Sequence, residues 1–89
     1  MSIFYANEVL SQIKKGKIPK SIFELFNHVF IALDTTNDLN LFDIKRLRSN
    51  SERSYFRIRK NKYRAIFYIE NKNYYVVSIA NREEVYRQW

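Results

Sequence analysis

The chain contains no cysteine, and only one glycine, one proline and one histidine among its 89 residues. Without cysteine, neither a disulfide framework nor a thiolate metal site is possible. A single histidine also excludes a histidine-rich metal cluster, and we expect no metal or other cofactor. The sequence has no apolar run of about 18 residues, and its first residues do not combine a basic stretch with an apolar core. We therefore expect a cytoplasmic protein without a membrane partner.

Positive charge and aromatic side chains, by contrast, are abundant. Sixteen lysines and arginines against nine acidic residues give a formal charge of +7 and an isoelectric point near 9.8. This excess favours a polyanionic partner such as nucleic acid or an acidic protein, and less readily an anionic membrane surface. Seven phenylalanines, seven tyrosines and one tryptophan supply the large buried areas that so short a chain needs for a core. We expect residues 1–89 to form one domain.

The first half of the sequence predicts two amphipathic helices. Apolar residues recur at helical spacing from Ala6 to Ile13, and Gly16 provides an end, which predicts a helix over about 4–15. A second helix is expected over about 20–33, after Pro19 and before a stretch of turn-forming side chains. Because the link between them is short, the two helices should form an antiparallel hairpin with one shared apolar face.

The second half alternates between apolar and polar residues and predicts strands over about 54–60, 62–70 and 73–80. Turns containing asparagine, at 60–62 and 71–73, separate them. The predicted fold is α+β: a helical hairpin packed on one face of a small antiparallel β-sheet of about three to four strands, followed by a short C-terminal helical turn. The first residues are too few for a full strand, so an open sheet edge is expected.

The first predicted hairpin gathers arginines on one sheet face. With Asn61 and Lys62 as a two-residue loop, Arg59 lies opposite Arg64. One face then collects Tyr55, Arg57, Arg59, Arg64, Ile66 and Tyr68. Like charges directly opposite each other destabilise a strand pair by up to about 1 kcal/mol. Water and salt could screen them on an exposed face, or the guanidinium groups could converge on a phosphate.

The residues around the arginines favour the phosphate interpretation. Tyr55 and Tyr68 flank them and could stack on bases, as aromatic side chains do in single-strand binding sites. Lys60 and Lys62 at the turn complete the predicted RNA-binding set. A register slip of one residue would disperse the cluster, so the hypothesis depends on the strand pairing.

The segments YFRIRKNKYRAIFYI and VVSIANREEVYRQW resemble the RelE/ParE family of bacterial toxins from type II toxin–antitoxin pairs. Upstream, IPKSIFELFNHVF and FDIKRL match that family's second helix and the segment before its hairpin. The resemblance covers roughly residues 5–87. Each motif is short and degenerate, whereas their order and spacing together are fairly specific. The RelE-like branch is favoured.

The resemblance implies a metal-independent endoribonuclease that cuts mRNA on the ribosome, with the RNA 2′-hydroxyl attacking the adjacent phosphate. Carried over by position, the catalytic residues are Arg57, Arg59, Arg64, Arg82 and Tyr86. Arg64 would hold the scissile phosphate, and Tyr86 would stack on a base or accept the 2′-proton. Asn81 stands where many relatives have histidine, which leaves Tyr86 as the main candidate for the base and Glu83 or Glu84 as weaker ones.

The resemblance also implies partners: the ribosome with its mRNA, and a cognate antitoxin. The antitoxin should be an acidic, partly disordered chain that covers the basic face or the open sheet edge. An apolar flank of the second helix, formed by Phe23, Phe30 and Ile31, is a second possible docking surface. Two alternatives remain within the same fold: a ParE-like inhibitor of DNA gyrase, and a catalytically inactive basic binding protein.

Overall fold

A computed structural model of the protein describes residues 2–47 and 53–81. In chain order the elements are β1 (Ile3–Tyr5), α1 (Asn7–Lys14), α2 (Lys20–Thr36), a short 3-10 helix (Leu39–Leu41), β2 (Ile44–Leu47), β3 (Tyr55–Lys60), β4 (Tyr63–Glu70) and β5 (Asn73–Asn81). The strands form a single sheet in the order β1-β5-β4-β3-β2. The predicted α+β fold is confirmed.

Both predicted helices are present, with shifted ends. Helix α1 begins at Asn7 rather than at residue 4, because residues 3–5 form a strand. It ends as expected: Gly16 has a φ of +78°, a left-handed conformation that glycine adopts at little cost. Helix α2 continues to Thr36, three residues beyond the predicted end. There Asn37 takes a φ of 55° and its amide donates to the carbonyl of Leu33 at 2.8 Å.

The sheet has five strands rather than three or four, and it is mixed rather than antiparallel. Strand β1 pairs in parallel with β5, and β2 pairs antiparallel to β3. Neither short strand shows enough alternation to be recognised from sequence. The partner of β1 lies near the other end of the described chain, and residues 48–54, between β2 and β3, are too many to set the register as a two-residue loop does. The predicted C-terminal helical turn lies outside the described residues.

The central hairpin has the predicted register. Arg59 lies opposite Arg64, and Arg57 lies opposite Ile66. Asn61 adopts a positive φ of 55° in the two-residue loop, which asparagine tolerates better than most residues. The next hairpin also has a two-residue loop, Asn71–Lys72, and it places Tyr68 opposite Tyr75. A turn of this length leaves little freedom in how the strands pair.

The hydrophobic core lies between the helices and one face of the sheet. Helix α2 contributes Phe26, Phe30 and Leu33, and α1 contributes Val9. From the sheet come Ile58, Ala65, Phe67, Val76 and Ile79. Because side chains alternate along a strand, the arginines of β3 and β4 lie on the opposite side. Within residues 2–47 and 53–81 both α-helices pack on the other side of the sheet, so we call this side the helix-free face.

Tyr5 connects strand β1 to helix α2. Its hydroxyl donates to Oδ1 of Asn27 at 2.8 Å, and its ring packs on Phe23 with centroids 4.8 Å apart. Burial raises the pKa of Tyr5 to about 12, so the phenol is neutral at physiological pH. This contact anchors the edge strand that the sequence did not reveal.

Tyr5→Phe should lower the free energy of unfolding by about 1 kcal/mol, because it leaves the Asn27 acceptor without its donor. Urea denaturation followed by circular dichroism measures this. Asn27→Ala in the Tyr5→Phe background should then cost less than Asn27→Ala in the wild type. Strictly additive losses would show that the two side chains do not interact.

Candidate nucleic-acid interface

The arginine cluster, defined as Arg57, Arg59 and Arg64, lies on the helix-free face as predicted. Its members differ sharply in accessibility. Arg57 and Arg64 are 5% and 2% exposed, whereas 47% of the Arg59 side chain is accessible. Arg59 is therefore the member that a ligand reaches first. The other two place positive charge beneath the surface, where water screens it less.

Asp43, which the sequence interpretation did not single out, is the acidic partner of this cluster. Its carboxylate accepts a hydrogen bond from Nε of Arg59 at 2.7 Å, and Nη2 of Arg57 lies 3.5 Å from its other oxygen. Its backbone carbonyl also accepts the amide of Arg59 at 3.1 Å. One carboxylate thus accepts hydrogen bonds from two guanidinium groups. Asp43 precedes the short strand β2, whose pairing with β3 is not readable from the sequence.

The charge balance around Asp43 shifts its ionisation. Desolvation alone would raise the pKa of Asp43. The hydrogen bond and positive charge of Arg59, with those of Arg57, outweigh it and hold the pKa below its usual value. The carboxylate is accordingly ionised at physiological pH, and it offsets part of the cluster's positive charge.

Four aromatic rings cross the helix-free face at the other end of β4, on four neighbouring strands. Tyr55 meets Tyr68 edge to face at 5.7 Å. Tyr68 stacks on Tyr75 at 4.8 Å, and Tyr75 stacks on Phe4 at 5.2 Å. We call these four residues the aromatic row. Tyr68 is four positions from Arg64 along β4, roughly 13 Å, whereas Tyr55 is only two positions from Arg57 along β3, roughly 7 Å.

Two members of the aromatic row were not predicted. The sequence did contain a signal for Tyr75, because the two-residue loop at 71–72 places it opposite Tyr68. Phe4 had no such signal, since its position depends on the parallel pairing of β1 with β5. The row therefore extends the predicted Tyr55–Tyr68 pair across most of the sheet.

Arg53 covers part of the aromatic row. Its guanidinium carbon lies 4.1 Å from the centroid of Tyr68, and its Nη2 is 3.4 Å from a carboxylate oxygen of Glu70. A ring has two faces, and those of Tyr68 are engaged by Arg53 and Tyr75. A base that stacked on Tyr68 would have to displace one of them. The predicted stacking role of Tyr68 remains a prediction.

The remaining predicted residues are placed as follows. Lys62 is exposed in the hairpin loop, and Nζ of Lys60 lies 5.6 Å from the centroid of Phe42. Arg82 and Tyr86 lie outside the described residues.

The predicted docking flank on α2 is partly wrong. Phe30 is fully buried in the core and Phe23 packs on Tyr5, which leaves Ile31 exposed. The helical spacing in the sequence put Phe30 at the edge of the apolar side of α2. Phe30 is nevertheless buried, because it packs on Phe67 of the sheet.

Within residues 2–47 and 53–81, no three histidine or acidic side chains are grouped as a metal site would need. In those same ranges, neither helix has the length and apolar character needed to cross a membrane.

Comparison with known proteins identifies the fold. The chain superimposes on a chain of the RelB–RelE antitoxin–toxin complex from Methanococcus jannaschii with a TM-score of 0.72 and 21% identity, over 97% of this chain and 98% of that one. A chain of the archaeal RelE–RelB complex from Pyrococcus horikoshii OT3 matches with a TM-score of 0.71 and 18% identity, over 91% and 93%. No protein-family model matches, and no curated protein sequence does. The chain has a RelE-like fold, as the resemblance implied.

The Asp43 carboxyl should titrate below the usual aspartate value of about 3.9, because ionisation preserves its contacts with the arginines. A depressed pKa stabilises the folded state above the unfolded-state pKa, and that contribution disappears as the pH falls through the folded-state value. Carboxyl ¹³C NMR across the acid range measures the midpoint. Arg59→Gln should raise it towards the unperturbed value, whereas Arg53→Gln should not. Equal effects of the two variants would contradict the assignment.

Proposed function

We propose that the protein is the toxin of a type II toxin–antitoxin pair and acts as a ribosome-dependent mRNA endonuclease. The observation that carries this proposal is the arginine cluster on the helix-free face of a RelE-like sheet. Opposing arginines do not by themselves stabilise a sheet, since like charges repel across a strand pair. A phosphate ligand would convert that repulsion into binding.

Arg59 is assigned the first contact with the scissile phosphate, because it is the accessible member of the cluster. Arg64 lies directly opposite it in the strand pair and, with Arg57, adds charge from beneath. Positive groups fixed in advance around a phosphate stabilise the negative charge that builds up during transfer. This shifts the phosphate-holding role from Arg64, which the resemblance favoured, towards Arg59.

The proposed reaction needs no metal. The 2′-hydroxyl loses its proton to a base, its oxygen bonds to the adjacent phosphorus, and the bond from phosphorus to the 5′-oxygen breaks. The leaving 5′-oxygen takes up a proton, so the products are a cyclic phosphate and a 5′-hydroxyl. Arginine cannot act as the base near neutral pH, so the proposal keeps Tyr86 in that role and Arg82 beside the phosphate.

An acidic antitoxin is the proposed regulatory partner. One matching chain comes from a complex described as antitoxin–toxin and the other from a RelE–RelB complex. The +7 charge of this chain suits an acidic partner. Such a partner would compete with RNA for the helix-free face. The proposed site of action is the cytoplasm, where ribosomes translate mRNA.

Binding without cleavage is the second candidate, either to gyrase or to nucleic acid. It is favoured by Asn81, at the end of β5, in the position where many relatives have a histidine. A protein that acts by binding needs no acid–base group there.

In-vitro translation of a defined mRNA, read by primer extension, tests the proposal. Wild-type protein should produce cuts inside codons only when ribosomes are present. Arg59→Gln and Tyr86→Phe should each lower the cutting rate by about 10²-fold, the size of effect typical for losing one stabilising contact in a transition state. Lys14→Gln, an equal loss of charge on helix α1, should retain activity.

Circular dichroism of each variant separates loss of activity from loss of fold. Intact mRNA, from a preparation that still arrests growth, would contradict the nuclease. A gyrase supercoiling assay would then test the binding alternative.

A further inference from the structure

The anion site between Arg57 and Arg59 is occupied by the protein's own Asp43. We propose that Asp43 is an internal competitor, which an RNA phosphate must displace and which thereby limits the affinity of this face for phosphate. The inference rests on the proposed function, because it takes phosphate as the ligand of the arginine cluster. Asp43 lies in the segment FDIKRL, to which the resemblance extends, but the resemblance implied no role for it.

The contacts show that one carboxylate does not satisfy both arginines. Arg59 is held closely, at 2.7 Å, whereas Arg57 reaches Asp43 only at 3.5 Å. Nη1 of Arg57 is buried and has no hydrogen-bond partner within residues 2–47 and 53–81. A buried charged donor left in this state is costly. Asp43 therefore neutralises Arg57 only weakly, and a phosphate that replaces the carboxylate beside Arg59 would also gain from the positive charge of Arg57.

The geometry also permits the exchange. The side chains of Asp43 and Arg59 are 43% and 47% exposed, so a ligand can approach the pair from solvent. The backbone of Asp43 is held separately, through the bond from the Arg59 amide to its carbonyl. The carboxylate can thus rotate away while the strand pairing stays intact. It returns when the ligand leaves.

The competition has a measurable electrostatic consequence. Arg57, Arg59 and Asp43 carry a combined charge of +1, which becomes +2 when the carboxylate is replaced by an amide. The salt dependence of binding to single-stranded nucleic acid steepens by about 0.7 per additional phosphate neutralised. Removing the charge at residue 43 should therefore strengthen binding and steepen its dependence on salt.

The test uses a fluorescently labelled 2′-O-methyl oligonucleotide, which cannot undergo attack by its own 2′-oxygen. Fluorescence anisotropy across a range of salt concentrations compares wild type, Asp43→Asn and Glu24→Gln. Glu24 is exposed on helix α2, so Glu24→Gln makes the same change in net charge away from the site. We expect Asp43→Asn to bind about five- to tenfold more tightly than Glu24→Gln, with a steeper salt slope. The gain should disappear in the Arg59→Gln background.

Equal affinities of Asp43→Asn and Glu24→Gln would overturn the proposal, since only total charge would then matter. Weaker binding by Asp43→Asn would also overturn it, because Asp43 would then orient the arginines instead of competing for them. A second measurement uses the wild-type protein and so does not depend on whether Asp43→Asn folds correctly. Inorganic phosphate should shift the Arg59 Nε–H and Asp43 carboxyl NMR signals together, and an unchanged Asp43 signal would count against the exchange.

These measurements report phosphate binding and not cleavage. If mRNA stays intact in the translation assay while Asp43→Asn binds more tightly, the proposal that Asp43 competes with phosphate is supported and the nuclease proposal is contradicted. If mRNA is cut but Asp43→Asn shows no gain in affinity for the oligonucleotide, the nuclease proposal is supported and the proposal that Asp43 competes with phosphate is contradicted.

Discussion

The two-residue loop at Asn61 and Lys62 is the constraint on which the rest of the site depends. A turn of this length sets the pairing of β3 with β4 residue by residue, and it places three arginines on the face opposite the one on which α1 and α2 pack. A slip by one residue would turn the arginines of one of the two strands towards the hydrophobic core, where a charge without partners is very costly. The register of β3 against β4 therefore fixes both which side chains enter the core and where the arginine cluster lies.

Charge at this face is balanced locally by carboxylates. Asp43 engages Arg57 and Arg59, and Glu70 engages Arg53 beside the aromatic row. Ion pairs between exposed side chains contribute little to stability. Their larger effect is on recognition, because any anionic partner has to compete with carboxylates that are already in place. An acidic antitoxin and an RNA phosphate would meet the same competition.

A RelE-like fold by itself does not establish an activity, because one fold can carry unrelated functions. The neighbouring structures are 21% and 18% identical to this chain, so they establish its architecture. We propose the nuclease instead from particular side chains, an accessible Arg59 and the buried arginines beneath it. Asn81, at a position where the resemblance implies histidine in many family members, and the proposed competition by Asp43 would both affect how such a site acts.

Local periodicity and turn chemistry in the sequence were sufficient to predict the two helices, the three long strands and the pairing of Arg59 with Arg64. Each depends on residues a few positions apart. Strand β1 could not be predicted, because its partner β5 lies far along the chain. Strand β2 and the contacts of Asp43 could not be predicted either, because no tight turn sets the pairing of β2 with β3. The burial of Arg57 and Arg64 likewise depends on tertiary packing, since alternation assigns a side chain to a face but not its accessibility. The sequence thus determined which charges share a face, and the tertiary structure decided which of them a ligand can reach.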